Sequence, residues 1–413
     1  MDGPLGKRFR QLWAASGSAN LGDGVLAVAL MLVAARLTAS ATLVAGVAVA
    51  SQLPNALATL PAGALADRLD RRRLMVAVNV VRASTVAIAA ALELTGTLSL
   101  PAVYVVAFVL GASEVFVDAT AQSTVPMVVA RDRLAAANGR LVATQVTANE
   151  FVGAPLAGVL VAAAVVWALA APAVLYLVAA LVLLRMPGHY RPVREGPPTR
   201  MRTDIAEGIR YLTSHRLLRT LAAMAALVNI ASSGVFAVFV LYVVGPHSPM
   251  QLPEAAFGLL LACVAGGAVL GSVIAERAQR ALGRVRVLIV AVTGFACAFA
   301  VPALTTATIP VAVALFSAGL LMMLANVIMV SLRQLIVPEG LLGRTNATMR
   351  LLGIGLSPLG ALAAGPVADL LGLRAVFLGA AVLTLLALPG FLIVTEARLT
   401  HAEQHHPAPA QPR

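Results

Sequence analysis

Four carboxylates stand inside long apolar stretches of this chain: Asp23, Glu114, Asp118 and Glu150. An ionisable group in hydrocarbon costs at least about 2.5–3.5 kcal/mol at the centre of a membrane span, so each of the four is a candidate for function. The chemistry open to them is proton binding. A carboxylate without a partner in a water-poor cavity favours its protonated form, and it releases the proton once the cavity opens to water. At about 1.5 Å per residue, Asp23 and Glu150 fall near mid-membrane, Glu114 somewhat deeper toward the cytoplasm, and Asp118 almost at the inner edge. Glu114 and Asp118 are four residues apart and share one face of a helix. Asp118 is within reach of Arg71 and Arg72 and is assigned to a cytoplasmic gate, which leaves Asp23, Glu114 and Glu150 as proton-coupling candidates. The competing reading for each acid is a plain hydrogen bond to backbone, Asn20, Gln145 or Asn149.

These acids need a scaffold, and the composition says which kind. The 413 residues are 60% hydrophobic, 12% charged and 5% aromatic, against about 45–50% apolar and about 25% charged in soluble domains. Abundant Gly and Ala suit helices packed closely in lipid. The net charge of +12 comes from short basic clusters between apolar runs. It forms no continuous basic face, which argues against a nucleic-acid partner. Cys263 and Cys297 lie inside apolar runs and read as reduced thiols with no disulfide or metal role. The first apolar segment reads as a span, with no cleavable signal.

A run of about 20 apolar residues crosses the hydrocarbon core, and twelve such runs follow one another: 11–35, 41–66, 74–94, 99–124, 138–163, 166–185, 217–243, 255–276, 285–304, 309–332, 346–370 and 374–395. The predicted fold is therefore an all-α membrane protein in two pseudo-symmetric six-helix halves, 1–185 and 217–396. A linker, 186–216, joins them, and a disordered tail, 397–413, follows. Placing both termini in the cytoplasm puts Lys7, Arg8, Arg10, Arg68, Arg71–Arg73, Arg131, Arg133, Arg277, Arg280, Arg284 and Arg286 inside, with essentially Arg36 and Arg374 outside. The linker begins as Pro-rich coil and becomes a short amphipathic helix near Thr203. Ile205, Ile209 and Leu212 are placed on the membrane surface; a solvated linker is the alternative. The halves repeat: Asp67-Arg68 recurs as Glu276-Arg277, 209 positions on (276 − 67), and Asn138 as Asn346, 208 on (346 − 138). Duplicated six-helix halves joined by a basic loop are the organisation of alternating-access transporters.

The segment Gly63-Ala64-Leu65-Ala66-Asp67-Arg68-Leu69-Asp70-Arg71-Arg72-Arg73 resembles the signature between helices two and three of the major facilitator superfamily. The likeness extends over essentially the whole chain. Asp70 departs from the commoner Gly and, with Asp23 and the stretch Val125-Pro126…Arg131-Asp132-Arg133-Leu134, resembles the macrolide-efflux and enterobactin-exporter branch. The resemblance implies a secondary active transporter, without cofactor or enzyme activity, monomeric in the inner or plasma membrane. It also implies a gate of Gly63, Asp67, Arg68, Arg71, Arg72 and Asp118, in which Asp67 meets the N-terminus of helix eleven and the arginines pair with an acid. The exporter pattern in helix five survives as Pro155 and Gly158, which implies a kinked, tightly packed helix. The helix-four arginine usual in proton-coupled members is missing.

The C-terminal half offers Asn229, Phe236, Phe239, Met322, Met323 and Asn326 as a substrate wall, because methionine makes a deformable apolar lining. Ordinary packing is the plainer reading for any one of them. Arg82, Arg140 and Arg350 are placed near the inner edge, so no mid-cavity cation is expected. The combined expectation is a proton-coupled exporter of lipophilic or weakly basic compounds. A siderophore or metabolite exporter and a membrane scaffold or sensor stand as alternatives.

Overall fold

A computed structural model of the chain describes residues 6–66, 69–188, 190, 210–337, 348–349 and 355–398. In chain order the helices are α1 (Gly6–Leu37), α2 (Ala41–Ala66), α3 (Arg71–Leu94), α4 (Leu100–Val128), α5 (Leu134–Val146) and α6 (Ala154–Ala163), with a π-helical segment, Thr147–Gly153, between the last two. They continue as α7 (Val165–Leu184), α8 (Arg216–Val243), α9 (Glu254–Leu282), α10 (Arg284–Leu304), α11 (Thr308–Ile336), α12 (Ser357–Leu371) and α13 (Leu373–Leu385). Among the described residues ten helices are long and apolar enough to cross a membrane, counting Leu134–Ala163 as one. Two shorter apolar helices, Ala41–Pro54 and Ser357–Leu371, stand at the second and eleventh expected spans. The fold is all-α, and an isolated bridge joins Val244 to Leu252.

The chain divides into two compact units: Met1–Gly196 with Ala237–Ala262, and Pro197–Phe236 with Cys263–Arg413. Most of the linker and the tail from 399 onward lie outside the described residues. Leu212, expected on a membrane surface, is 2% exposed and belongs to the core of the second unit with Leu218, Leu221, Leu288 and Ile328. Its apolar side chain is satisfied by protein packing rather than by lipid.

Asp70 explains where α3 begins. Its Oδ1 accepts the Arg73 N–H at 3.1 Å and its Oδ2 the Tyr190 N–H at 3.0 Å, while the Tyr190 carbonyl accepts the Arg71 N–H at 3.2 Å. One carboxylate thus caps the helix and anchors the chain that leaves α7. Burial alone would raise this carboxyl, but the Tyr190 and Arg73 N–H donors and the Arg73 charge hold it below its ordinary value. The second unit has a matching junction. Gly283, at φ +83°, precedes α10 and brings no capping side chain, and Glu396 Oε1 accepts the Val285 N–H at 2.8 Å instead. A Cβ at Gly283 would lie 2.8 Å from that oxygen.

Within the first unit, Arg36 at the end of α1 bonds Glu254 Oε1 at 2.7 Å and the Val161 carbonyl at 3.0 Å. Nearby, a Cβ at Gly258 would come within 2.8 Å of Pro155 Cα, and one at Gly158 within 2.8 Å of Ala255 Cα. The two effects differ in size. A partly exposed ion pair is worth less than about 1 kcal/mol, whereas forcing atoms into a packed backbone contact costs about 1–3 kcal/mol. Gly258→Val is therefore expected to lower the unfolding temperature of the purified protein well beyond Glu254→Gln, and the reverse order would refute this ranking.

Asp70 gives a pH-dependent counterpart. A carboxyl with a depressed folded pKa stabilises above its unfolded value of about 3.9 and loses that contribution as pH falls through the folded value. Asp70→Ala should cost about 1 kcal/mol near neutrality. In thermal unfolding the gap to the parent protein should shrink below about pH 4; a gap independent of pH would mean that the charge contributes nothing.

Candidate functional site

Asp23 lies near the middle of α1, and the first unit surrounds it with partners from two other helices. Tyr176 of α7 donates its hydroxyl to Oδ1 at 2.6 Å, and Arg82 of α3 bonds Oδ2 at 3.2 Å. The Arg82 guanidinium also lies 5.3 Å from the centroid of the Tyr176 ring, a cation–π contact. Arg82 is 1% exposed and Asp23 21%. Both Asp23 neighbours in sequence serve this closeness. A Cβ on Gly22 would press 3.1 Å from the Tyr176 ring, and one on Gly24 would run into the Asn149 backbone.

The expectation that Arg82 sits near an inner edge is therefore corrected. Arg71–Arg73 form the first turn of α3 rather than a loop, which moves Arg82 to mid-helix, where the Asp23 charge is. Asn20, considered as an Asp23 partner, donates instead to the Ser16 carbonyl at 2.7 Å.

Glu150 occupies a different environment a short way off. Pro155 has no N–H, so the Phe151 carbonyl lacks its α-helical donor. The chain answers with the π-helical segment Thr147–Gly153, closed by the Ala154 N–H reaching back five residues to the Asn149 carbonyl. Such segments are rare and concentrate at functional sites. A Cβ on Gly153 would lie 2.8 Å from Gly24 Cα, so this segment rests directly on α1 beside Asp23. Among the described residues the Glu150 side chain has no hydrogen bond or ion pair, and it is exposed. Glu114 is likewise exposed and lies near enough to Tyr176 for its charge to act on the phenol. Beside the π segment an apolar depression of about 330 Å³ is lined by Gly17, Leu21, Ala143, Thr144, Thr147, Ala148 and Val152. Trp13 Nε1 donates to Thr144 Oγ1 at 2.6 Å beside it. None of the predicted site residues lines this depression.

The expected gate is only partly in view. Asp67 and Arg68 lie outside the described residues, as do the surroundings of Gly63 in α2 and of Asp118 in α4. Arg71 turns to the Ser123 carbonyl at 2.5 Å and to Met127 Sδ at 3.1 Å. Arg72 bonds the Leu183 carbonyl at 2.8 Å and also the Leu184 carbonyl. Among the described residues both guanidiniums thus meet main-chain carbonyls near helix C-termini, where positive charge is favoured. Pro155 and Gly158 sit together on α6, the first ending the π segment and the second against the start of α9.

The expected substrate wall separates. Phe239 belongs to the first unit, fully enclosed with its ring 6.0 Å from Phe257 and 6.2 Å from Tyr242, which makes it a packing residue. Phe236 and Asn229 are half-buried in the second unit. On α11, Met322 is 48% exposed, Met323 half-buried and Asn326 exposed. Sequence reasoning missed two members of the Asp23 cluster. The signal for Arg82 was a lone arginine in the middle of an apolar helix; Tyr176 carried none.

Comparison with known proteins agrees with this architecture. A family model described as transmembrane secretion effector matches residues 3–412. The multidrug efflux pump Tap of Mycolicibacterium fortuitum is 28% identical over 386 residues, covering 87% of this chain and 89% of that protein. Tap of Mycobacterium tuberculosis H37Rv is 28% identical over 387 residues, 90% of this chain and 88% of its own. Among solved structures, a bacterial homologue of the iron transporter ferroportin in an inward-facing state superimposes with a TM-score of 0.73 at 16% identity, covering 94% of this chain and 98% of that one. A bacterial homologue of the lysosomal transporter Spinster gives 0.71 at 14% identity with both chains covered in full. These likenesses show a shared transporter fold. Matched over nearly its whole length, the chain belongs to the transmembrane secretion effector family of major facilitator transporters.

Proposed function

We propose that this protein is a proton-coupled exporter of small lipophilic compounds, weak bases and macrolide-like drugs among them. It would work by alternating access in the cell's inner membrane, with both termini cytoplasmic. The observation that carries the reading is the pairing of two unlike acids in the first unit. Asp23 has both oxygens engaged by Arg82 and Tyr176, so its carboxyl group is fixed in place by two partners. Glu150, on a π-helical segment packed against the same helix, has no such partner among the described residues. One acid tied into an ion pair and one without such a partner suit a division between a fixed group and a proton carrier.

On this reading Glu150 takes up and releases the transported proton, and Asp23 with Arg82 is a fixed, internally neutral pair. Arg82 supplies from helix three the cation that related transporters carry in helix four. Glu114, exposed on α4, serves as a secondary proton acceptor near the same phenol. The relationship to Tap supports export of drug-like molecules, and the halves 1–185 and 217–396 would be the rocking bodies.

The test is efflux of a fluorescent lipophilic weak base from cells expressing the protein, with and without a protonophore. Parent protein should export the dye and lose that export when the gradient collapses. Glu150→Gln should lose its dependence on the gradient, with net export down by about tenfold or more, the lower range of a proton-transfer group. Protonophore-sensitive efflux of normal size in Glu150→Gln would sink the coupling role.

Asp23 should behave differently because removing one partner strands a buried charge, at about 3–5 kcal/mol. Asp23→Asn is expected to unfold well below the parent protein in detergent. Adding Arg82→Gln should recover most of the loss, and a double variant no better than the single one would dismiss the paired role.

A further inference from the structure

The apolar depression beside the π segment has a place in the fold that the proton site does not use. Gly17 and Leu21 of α1 form one wall, and side chains between Ala143 and Val152 form the other. Its volume, about 330 Å³, falls within the range of small-molecule sites, about 300–1,000 Å³. Among the described residues no charged side chain lines it. Asp23 stands two residues beyond Leu21, and Glu150 stands two from both Ala148 and Val152. At about 100° per α-helical residue, and somewhat less in the π segment, each acid is roughly half a turn away.

Two hydroxyls set the chemistry of this depression. Elsewhere in the chain a helical threonine returns its hydroxyl to the carbonyl four residues back. Thr120, Thr124, Thr220 and Thr384 do so at 2.6, 2.7, 2.9 and 2.8 Å. That local bond satisfies a hydroxyl that has no other partner. Thr147, exposed on the wall, has no side-chain hydrogen bond among the described residues. Thr144 Oγ1 accepts the Trp13 Nε1–H at 2.6 Å, which leaves its own hydrogen to donate. Among the described residues that hydrogen meets no acceptor. Donors left unmet in apolar surroundings cost free energy, so the depression suits a ligand that brings a neutral oxygen to them.

Resting on the exporter reading above, we propose that this depression seats lipophilic cargo carrying a neutral acceptor oxygen, that of a ketone, ester or ether. The apolar body lies against Gly17, Leu21 and Val152, and the oxygen accepts from Thr147 and Thr144. Trp13, bonded to Thr144, directs the second hydroxyl and is a positioning residue. Cargo and Glu150 then meet opposite sides of one π-helical stretch.

The experiment loads cells expressing the full-length protein with prodan, an aromatic ketone, or with its analogue that has a methylene in place of the carbonyl. The weak-base dye is run alongside, and variants are compared at matched amounts of protein in the membrane. The parent protein should export the ketone faster than the analogue by about three- to tenfold, the scale of one neutral hydrogen bond. Thr147→Val should bring that ratio close to unity, and Thr147→Ser should keep it. A merely structural defect lowers both probes together and leaves the ratio where it was. Ala143→Leu, at an exposed position on the wall, should lower export of both probes by filling the depression. A parental ratio in Thr147→Val, or undiminished export of both probes in Ala143→Leu, overturns the proposal. So does a parent protein that exports the dye and neither naphthalene, which leaves the exporter reading standing. A parent protein that exports none of the three removes both.

Discussion

The centre of the first unit is organised around one ion pair, between a buried Arg82 and a largely buried Asp23. Moving Asp23 and Arg82 into a helical bundle costs several kcal/mol per ion, and their attraction offsets this only when the remaining hydrogen-bonding capacity is met. Tyr176 supplies part of that, donating to the carboxylate and offering its ring to the guanidinium. The helices must come close for those distances to hold, and Gly22 and Gly24 on either side of Asp23 remove the side chains that would prevent it. An apolar trio of similar volume would stabilise the bundle equally well or better. The pair is therefore better explained by a use for charge at that depth than by stability.

A second constraint is met in both units by similar means. The helix that starts the third span of each half begins next to the chain that leaves its last span. In the first unit the capping carboxylate, Asp70, belongs to the loop before α3 and binds the departing chain at Tyr190. In the second, the carboxylate sits on the departing chain, as Glu396, and reaches the start of α10 past Gly283. The same junction is tied from opposite directions. Asp70, the residue that departs from the family signature, thus has a local task that glycine has no side chain to perform.

The spans were legible because a helix in lipid must satisfy its own backbone and present some twenty apolar residues, which leaves little room for another reading. The acids were legible as outliers against that background. What failed was partnership. Asp23 and Tyr176 are 153 positions apart, and no local pattern joins them. Arg82 was placed too shallow because three arginines in a row read as loop, whereas the Asp70 cap makes them the first turn of α3. Arg71 and Arg72 were expected to pair with an acid; among the described residues they bond helix carbonyls, and Asp67 and the Asp118 side chain lie outside that set. Phe239 carried no mark distinguishing a wall residue from the ring stack it joins with Phe257 and Tyr242.

Pro155 shows how a single missing donor can link these features. A proline kink by itself would bend helix five and leave Glu150 wherever α-helical geometry put it. Here the lost N–H is absorbed by seven residues of wider winding, which alters the angular position of each side chain within that stretch. Glu150 is one of them, and the Asn149 and Gly153 backbone of the same stretch lies against Gly24. A change in the winding of this segment would therefore shift an acid that has no side-chain partner among the described residues and press on the helix that holds the paired one. Gly158, one turn further on, fixes the other side of α6 against the start of α9. On the proposed reading, protonation of Glu150 is coupled to helix packing through the backbone that proline and glycine permit, without Asp23 having to change its charge.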